Sequence, residues 1–439
     1  MLRMLPEVKD YRKGSGRTSK FNSIKLEVET TVLSSDDLRE LVEMKLWNYP
    51  EIKIVESEHY ERNSLVLKLK VGLGIFETEN KLLFKKQGYV LEVKANEVQL
   101  FYEERSGLVN GISTLKQLFK ELDNAYCLDY LTIKDWPSIE QRSVSNTFGW
   151  YAGYGRLGFD MQLWGFEEWV EYLNICSDFK INQFNMCMYG YWPFEFKEYP
   201  ETVLKSYPVK VWNKESRNWV TVEYLHPNLS EEFLSKLITY GHKLGVSFFA
   251  YIGLNSYNGG YPSIYKEKRM KLPKGSKFVN DFDRLCLSDK DSLEYLKKSV
   301  RRIVQLGYDG IDFEESEEAF WYCDCTKCHT NFLSKTNSPE EAKNVANSQL
   351  LQKLYSVIRD ENENCQIGIR AWRQPPLEKP KKLIEKMVNS IPNDVGLLWA
   401  PGLYVPESEF EKWTLAFGKE RIWGRDSPKV MQFHLVLVD

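Results

Sequence analysis

Residues 131–144, LTIKDWPSIEQRSV, mark the point at which the sequence pattern of this protein changes. Before Trp136 and Pro137 the chain contains short runs of alternating polarity, which are typical of half-buried strands. After them, apolar runs alternate with amphipathic stretches of helical length. Because strands buried on both faces are typical of parallel sheets, the second pattern indicates repeated strand–helix units. The junction therefore predicts a small α+β domain followed by an α/β barrel.

The part before the junction divides into a lead-in and a domain. Residues 1–20 are polar and predict a flexible lead-in, whereas residues 21–135 contain the strands of the α+β domain. Apolar residues at helical spacing predict an amphipathic helix over 106–122. Strands that share a sheet with helices on one face form such a domain. The predicted strands cover residues 23–29, 51–55, 64–71, 88–94 and 97–102.

The part after the junction, residues 137–439, contains seven strand–helix units. A (β/α)8 TIM-type barrel accounts for them better than an open sheet, since such barrels take about 250 residues plus insertions. The eighth unit is doubtful, because only sixteen residues follow Trp423 and MQFHLVLVD comes too soon for an intervening helix. Either the barrel is incomplete at the C-terminus, or the chain is a truncated or frameshifted form of a longer protein. The predicted strands are 142–148, 181–188, 246–252, 310–315, 366–371, 395–400 and 421–423.

Composition excludes several classes of function. The net charge of −3 argues against nucleic acid as a partner, and no run of about 18 apolar residues predicts a membrane span. The first residues lack the apolar core of a signal peptide, and eight cysteines are too few for a disulfide scaffold, so we expect a cytoplasmic protein. Aromatic residues make up 14% of the chain, which suits either a sugar-binding site or a large aromatic core. The oligomeric state stays undetermined.

The acidic segment 307–320, GYDGIDFEESEEAF, is the strongest candidate for a catalytic site. Side chains alternate along a strand, so Asp312 and Glu314 are expected to face the barrel interior. Glu315 then follows at the strand end, where barrels carry their active sites. Two carboxyls this close raise the pKa of one of them, which would provide a proton donor near neutral pH. The alternative is an acidic first turn of the next helix, stabilised by the helix dipole.

A cysteine cluster follows the acids at Cys323, Cys325, Cys328 and His329. Thiolates and imidazole suit Zn²⁺, although structural zinc sites usually draw ligands from two separated segments. A structural metal clip, a local disulfide and simply reduced thiols all remain open, and a catalytic zinc is not expected. The other five cysteines are interpreted as buried thiols: Cys127, Cys176, Cys187, Cys286 and Cys365.

Aromatic residues recur where the predicted barrel strands end. Any single tryptophan is more often a core residue, but their shared position favours a wall that stacks on sugar faces. The residues concerned are Tyr189, Trp192, Trp372, Trp399 and Trp423.

Two longer segments carry a resemblance to a known family. Residues 88–119, GYVLEVKANEVQLFYEERSGLVNGISTLKQLF, and residues 131–144 resemble the auxiliary domain and the domain junction of glycoside hydrolase family 20, the β-N-acetylhexosaminidases. The resemblance implies that Arg142 binds sugar hydroxyls. It places Glu314 and Glu315 at the family's adjacent Asp–Glu pair, so that Glu314 orients the 2-acetamido group and Glu315 protonates the leaving oxygen. Glu314 stands at the position where the family has aspartate.

The resemblance implies a retaining β-N-acetylhexosaminidase in which the substrate's own acetamido oxygen attacks the anomeric carbon. Its partner would be a carbohydrate, and no cofactor would be required; a structural zinc ion at the cysteine cluster stays one of the open alternatives. A first alternative is a barrel glycosidase for another sugar, such as a uronic acid. The cations for the sugar carboxylate would then be Arg370, Arg373 and Arg425. A second alternative is a catalytically inactive carbohydrate-binding homologue.

Overall fold

Alternating apolar residues give the N-terminal sheet one continuous buried face. The computed structural model describes residues 4–30, 34–55, 63–74, 76, 78–147, 164–188, 190–204, 206–225, 231–255, 260–274, 284–314, 323–370, 381–398 and 407–423. The strands before the junction are β1 (Asp10–Arg17), β2 (Ser23–Thr30), β3 (Lys53–Val55), β4 (Ser64–Val71), β5 (Tyr89–Lys94), β6 (Glu97–Tyr102), β7 (Lys120–Glu121), β8 (Tyr126–Cys127) and β9 (Asp129–Asp135). Seven of them form one sheet in the order β1-β9-β5-β6-β4-β2-β3, and β7 pairs with β8.

Three helices accompany this sheet: α1 (Ser35–Lys45), α2 (Lys81–Gln87) and α3 (Arg105–Gln117). Helix α3 approaches the sheet closely because glycine recurs one turn apart on its inner face. A Cβ at Gly107 would lie 2.2 Å from the carbonyl oxygen of Gly88, and one at Gly111 would lie 2.4 Å from the side chain of Leu100. The core between the helices and the sheet is mostly aliphatic and includes Leu67, Leu100 and Ile112, each fully buried.

The predicted flexible lead-in, residues 1–20, is wrong for residues 10–17. Residues Asp10–Arg17 form the edge strand β1, which pairs antiparallel with β9 from Asp10 opposite Lys134 to Arg17 opposite Asp129. Nearly all side chains of β1 are exposed, so the strand has no alternation of polarity that would reveal it. The strand is held by main-chain hydrogen bonds to β9, which lies more than 110 residues away in sequence.

The second sheet carries the strands that the apolar runs predict. Its strands and the inserted hairpin are β10 (Ser143–Thr147), β11 (Gln183–Cys187), β12 (Ser206–Asn213), β13 (Asn218–Leu225), β14 (Ser247–Gly253), β15 (Gly310–Glu314), β16 (Gln366–Arg370), β17 (Gly396–Leu398) and β18 (Ile422–Trp423). Seven strands lie in the order β10-β11-β14-β15-β16-β17-β18, and β12 pairs with β13 as a separate hairpin. Pairing from β14 to β18 is parallel throughout.

Helices connect successive strands of this sheet. They are α4 (Phe166–Asp178), α5 (Glu231–Lys243), α6 (Tyr261–Ile264), α7 (Lys290–Gln305), α8 (Thr326–Asn331), α9 (Pro339–Glu361), α10 (Lys381–Val388) and α11 (Glu407–Phe417). Helix α7 shows why these segments are helical: Asp289 caps it by accepting a hydrogen bond from the Ser292 amide, and its apolar face is buried. No helix within the described ranges is long and apolar enough to cross a membrane.

The second sheet is curved. Asn185 on β11 and Asp312 on β15 are hydrogen-bonded through their side chains at 3.1 Å, although β14 lies between their strands. In a flat sheet, strands two apart are separated by about 9.6 Å, too far for such short side chains to meet. The described strands therefore form an α/β fold with a partial barrel. Residues 424–439, where an eighth unit is in doubt, lie outside the described part of the chain.

The contacts divide the chain into two compact units. The first contains residues 1–143 together with 167–183 and 240–246, and the second contains 144–166, 184–239 and 247–439. The first continuous segment thus ends seven residues beyond the predicted boundary at Trp136. Two later segments join the first unit, which no local pattern in the sequence indicates.

A buried ion pair helps to hold the first unit together. Lys180 Nζ lies 2.8 Å from Asp135 Oδ2 and 3.0 Å from the Tyr89 hydroxyl, and both side chains of the ion pair are less than a tenth exposed. Burial lowers the pKa of Lys180, and the nearby carboxylate of Asp135 opposes that effect. Asp135 ends β9, so this contact joins residues 167–183 to the N-terminal sheet.

Candidate active site

Two acids lie at the carboxyl end of β15. Asp312 is fully buried and Glu314 is 5% exposed, and Glu314 is the last residue of the strand. In the parallel register, Tyr251 is opposite Asp312 and Gly253 is opposite Glu314. Residues opposite each other in register point to the same face of a sheet, so the acids share the concave face that Asn185 also occupies. This is the end of the sheet at which barrels carry their active sites.

Glycines flank both acids on that face. Gly253 lies beside Glu314 on β14, and Gly368 lies beside Asp312 on β16. Gly396 continues the same row on β17. Glycine has no side chain, so one neighbouring strand adds no bulk beside each acid on this face, whereas Tyr251 lies on the other side of Asp312.

The carboxyl of Asp312 is held in an environment that disfavours its charge. Burial raises the pKa of Asp312 to about 7, and the hydrogen bond donated by Asn185 Nδ2 to Oδ2 opposes that rise. The other carboxyl oxygen, Oδ1, is buried without a hydrogen-bond partner in the part of the chain that the structure describes. A carboxyl with such a pKa exchanges its proton near neutral pH, as an acid–base group must.

Asp309, three residues earlier, belongs to the same acidic run but has a different role. Its Oδ2 accepts a hydrogen bond from the Phe248 amide at 2.7 Å, and its amide donates to the Phe248 carbonyl at 2.8 Å. It therefore joins β14 to β15 at their amino ends, away from Glu314.

Several predicted site residues lie outside the described part of the chain. Glu315, the predicted acid–base residue, follows Glu314 directly, and the same limit applies to the aromatic residues Tyr189, Trp372 and Trp399. Trp423 is the last residue of β18, where it lies opposite Leu398 in the register. For these residues the predicted roles stay predictions.

The predicted role of Arg142 is wrong. The guanidinium donates to the carbonyl of Lys180 at 2.6 Å and to the side-chain oxygen of Gln87 and the carbonyl of Ile139, both at 2.8 Å. Its own carbonyl accepts from the amides of Asn182 and Gln183, so β10 and β11 start side by side and Arg142 precedes their amino ends. Burial lowers the pKa of Arg142 to about 10. Arg142 therefore supports the chain around residues 139–183, where its guanidinium donates to protein acceptors just before β10.

Trp192 is also not available to a ligand. Its ring is 2% exposed and stacks on Phe194 with the ring centres 5.3 Å apart. The indole nitrogen donates to the hydroxyl of Tyr295 at 2.8 Å. The ring is thus buried, with its nitrogen and a ring stack used in the core, and the predicted stacking on sugar is wrong for this residue.

The cysteine cluster has a different fourth member from the predicted one. The sulfurs of Cys286, Cys323, Cys325 and Cys328 all lie within 4.8 Å of one another. His329, by contrast, points to Asp324, with Nε2 2.6 Å from Oδ1, and its side chain is 44% exposed. The prediction that His329 is a ligand is therefore wrong, and so is the interpretation of Cys286 as an isolated buried thiol.

Two residues of these sites were missed from the sequence. Asn185 occupies an inward position in the apolar run QFNMC, and its polarity there was the available signal. Cys286 lies 37 residues before Cys323. The signal for Cys286 was the expectation that a structural zinc site draws on two segments, which the three clustered cysteines did not satisfy alone.

Comparison with known proteins agrees with the fold. Residues 3–136 match the family model of glycosyl hydrolase family 20, domain 2. Comparison with curated proteins found no match. Two structures of the exo-β-N-acetylglucosaminidase of Vibrio harveyi are similar to this chain in fold. The inactive mutant has a TM-score of 0.69 and 12% identity over 95% of this chain. The complex with N-acetylglucosamine has a TM-score of 0.67 and 12% identity over 94% of this chain.

The β-N-acetylhexosaminidase of Bacteroides fragilis is similar over 90% of this chain and 69% of its own, with a TM-score of 0.61 and 15% identity. This chain spans 59% of the length of either Vibrio harveyi structure. At these identities the structures establish likeness of fold, while the family model establishes likeness of sequence in the N-terminal part. The protein is thus similar to glycoside hydrolase family 20 in sequence over residues 3–136 and in fold over nearly the whole chain.

Proposed function

We propose that this protein is a retaining glycoside hydrolase that removes terminal N-acetylhexosamine residues with the help of the substrate's acetamido group. The observation that carries the proposal is the pair of buried carboxyls, Asp312 and Glu314, on the concave face at the carboxyl end of β15. A glycine lies beside each of them on one neighbouring strand, Gly368 beside Asp312 and Gly253 beside Glu314. The sequence match of residues 3–136 to a family 20 domain supports the same family of reactions.

In the proposed reaction, the acetamido carbonyl oxygen of the substrate attacks the anomeric carbon. The glycosidic bond breaks, and Glu315 transfers its proton to the leaving oxygen. Glu314 holds the acetamido N–H and balances the positive charge that develops on the ring formed by this attack. Water then attacks the anomeric carbon, Glu315 takes its proton, and the configuration at that carbon is retained. The protein therefore needs no nucleophile of its own.

Asp312 contributes to the charge of the site. Two adjacent carboxylates on Glu314 and Asp312 would repel each other in this buried position. Because its pKa is raised to about 7, Asp312 is largely protonated below neutral pH, so that Glu314 can carry the negative charge. In this proposal, the protonation of Asp312 keeps the negative charge on Glu314.

The sugar specificity is proposed from the structural relatives. The Vibrio harveyi structure is a complex with N-acetylglucosamine, and a Streptomyces plicatus N-acetyl-β-hexosaminidase of similar fold (TM-score 0.61) is a complex with Thio-NAglucal. We also propose that the curved sheet belongs to a TIM-type (β/α) barrel, since its seven described strands follow one another in chain order. We also propose a cytoplasmic location, because eight cysteines in 439 residues are too few for a disulfide scaffold.

The test is a panel of nitrophenyl β-glycosides of N-acetylglucosamine, N-acetylgalactosamine, glucuronic acid and glucose, incubated with the full chain. We expect hydrolysis of the two acetamido sugars and inhibition by a thiazoline analogue of the cyclised intermediate. Proton NMR should show the β-anomer as the first product. Turnover of the glucuronide alone would instead indicate a uronic acid glycosidase. Sugar binding without turnover of any member would indicate an inactive carbohydrate-binding homologue.

A further inference from the structure

The four-cysteine cluster in the second unit lies outside the candidate active site. Cys323, Cys325 and Cys328 lie around the start of α8, and Cys286 comes from the segment before α7. Both segments contact a third one, residues 269–271, through the main chain: the amide of Asp324 donates to the carbonyl of Lys271 at 2.6 Å, and Leu285 bridges to Arg269. The cluster thus brings together residues from two separate parts of the chain, as structural metal sites do.

The distances between the sulfurs suit one ion at their centre. Cys286 Sγ lies 3.7 Å from Cys325 Sγ and 3.6 Å from Cys328 Sγ. A tetrahedral ion bound at about 2.3 Å by four sulfurs would hold them about 3.8 Å apart. A disulfide requires about 2.05 Å, and all four cysteines are free thiols. Clusters of several iron atoms hold their cysteine sulfurs further apart than a single ion does.

The surroundings of the sulfurs also fit a metal site. The Lys271 amide donates to Cys323 Sγ at 3.3 Å, and the Cys328 amide donates to Cys325 Sγ at 3.4 Å. The hydroxyl of Ser288 lies 3.1 Å from Cys328 Sγ. Such hydrogen bonds, made by groups that do not themselves bind the metal, orient thiolates and disperse their charge. An apolar shell covers the cluster, formed by Met270, Phe332, Ala342 and Ala346.

We propose that Cys286, Cys323, Cys325 and Cys328 bind one structural Zn²⁺ ion. On binding, the four thiols give up their protons and coordinate the ion as thiolates. Four protein ligands close the coordination shell, so the ion has no open position for substrate or water. Cys323 lies nine residues after Glu314. The ion would therefore anchor the far end of the segment that begins at the candidate site, by attaching it to the segment before α7.

Metal analysis of the purified full chain provides the first test. We expect about one zinc ion per chain after dialysis against a weak chelator. Mass spectrometry after alkylation should show these four cysteines protected, and a strong chelator should expose all four together. Stoichiometric iron without zinc, a disulfide within the cluster, or alkylation that does not change with chelator would each overturn the proposal.

Variants identify the ligands. Cys286→Ser should lower zinc occupancy at least about tenfold, while Cys286→His, which keeps a ligand, should retain most of it. His329→Ala and Cys365→Ala are the matched controls, since His329 contacts Asp324 and Cys365 lies outside the cluster, and both should keep full occupancy. Full zinc occupancy in Cys286→Ser, or loss in His329→Ala, would contradict the proposed ligand set. These outcomes do not depend on whether the protein hydrolyses glycosides.

Discussion

Asn185 and Asp312 are hydrogen-bonded across an intervening strand, with Nδ2 3.1 Å from Oδ2. This contact links the curvature of the sheet to the electrostatics of the candidate site. Because the sheet curls, Asp312 is enclosed on its concave side, and this burial raises the pKa of its carboxyl to about 7. Side-chain alternation places Glu314 on that same concave face, at the end of β15.

The raised pKa of Asp312 predicts a pH-dependent stability. Between about pH 4 and pH 7 the folded protein holds a proton that the unfolded chain releases, so the free energy of unfolding falls as pH rises through this range. Asp312→Asn removes this titration, and the amide oxygen of the substituted side chain can still accept from Asn185. We expect the variant to gain about 2–4 kcal/mol over the wild type between pH 4 and pH 7.5. Urea unfolding at several pH values measures the difference, and parallel profiles for the two proteins would exclude the assigned pKa.

The roles of the two glutamates predict different responses to the leaving group. Glu315→Gln should lower kcat by about 10²–10⁴-fold with natural disaccharides, because their leaving oxygen needs a proton. The loss should be smaller with a nitrophenyl glycoside, whose leaving group departs without one. Glu314→Gln should impair both substrates alike, since attack by the acetamido group precedes either departure. Kinetics of both variants on both substrates check this, and equal losses for Glu315→Gln would exclude the acid role.

The contacts of Arg142 predict that its substitution lowers the stability of the protein without changing the candidate active site. Arg142→Ala leaves the carbonyls of Lys180 and Ile139 without their donor, so we expect a loss of about 2–4 kcal/mol of unfolding free energy. The KM of the folded fraction should not change. Lys86→Ala is the matched control, since its ion pair with Glu140 is exposed and is expected to contribute less than about 1 kcal/mol. A raised KM in Arg142→Ala with unchanged stability would restore the sugar-binding role.

The buried pair of Lys180 and Asp135 predicts strong coupling. Lys180→Met alone leaves a buried carboxylate unpaired and should cost about 3–5 kcal/mol. Adding Asp135→Asn removes that charge, so the double variant should lose less than the sum of the single losses. Denaturant unfolding of the four proteins gives the coupling energy. Additive losses would show that the two residues act independently.

Much of the architecture could be predicted from the sequence, because strands and helices follow from local periodicity. All seven strands of the second sheet lie within or beside their predicted runs, and Ala95, with a positive φ of 51°, turns the predicted hairpin between β5 and β6. The inward position of Asp312 on the strand also follows from alternation. These features depend on residues near each other in sequence, because the pattern of polar and apolar side chains indicates which positions are buried.

The rest was decided by the tertiary structure. Strand β1 has exposed side chains and is ordered by its pairing with β9, which leaves no local signal. Arg142 and Trp192 have side chains suited to sugar binding, but distant partners occupy their polar groups in the interior. Cys286 joins three cysteines that lie 37 or more residues later. Local sequence thus determined which segments form strands and helices, whereas the fold determined which side chains meet, because burial and charge at each site arise from residues far apart in the chain.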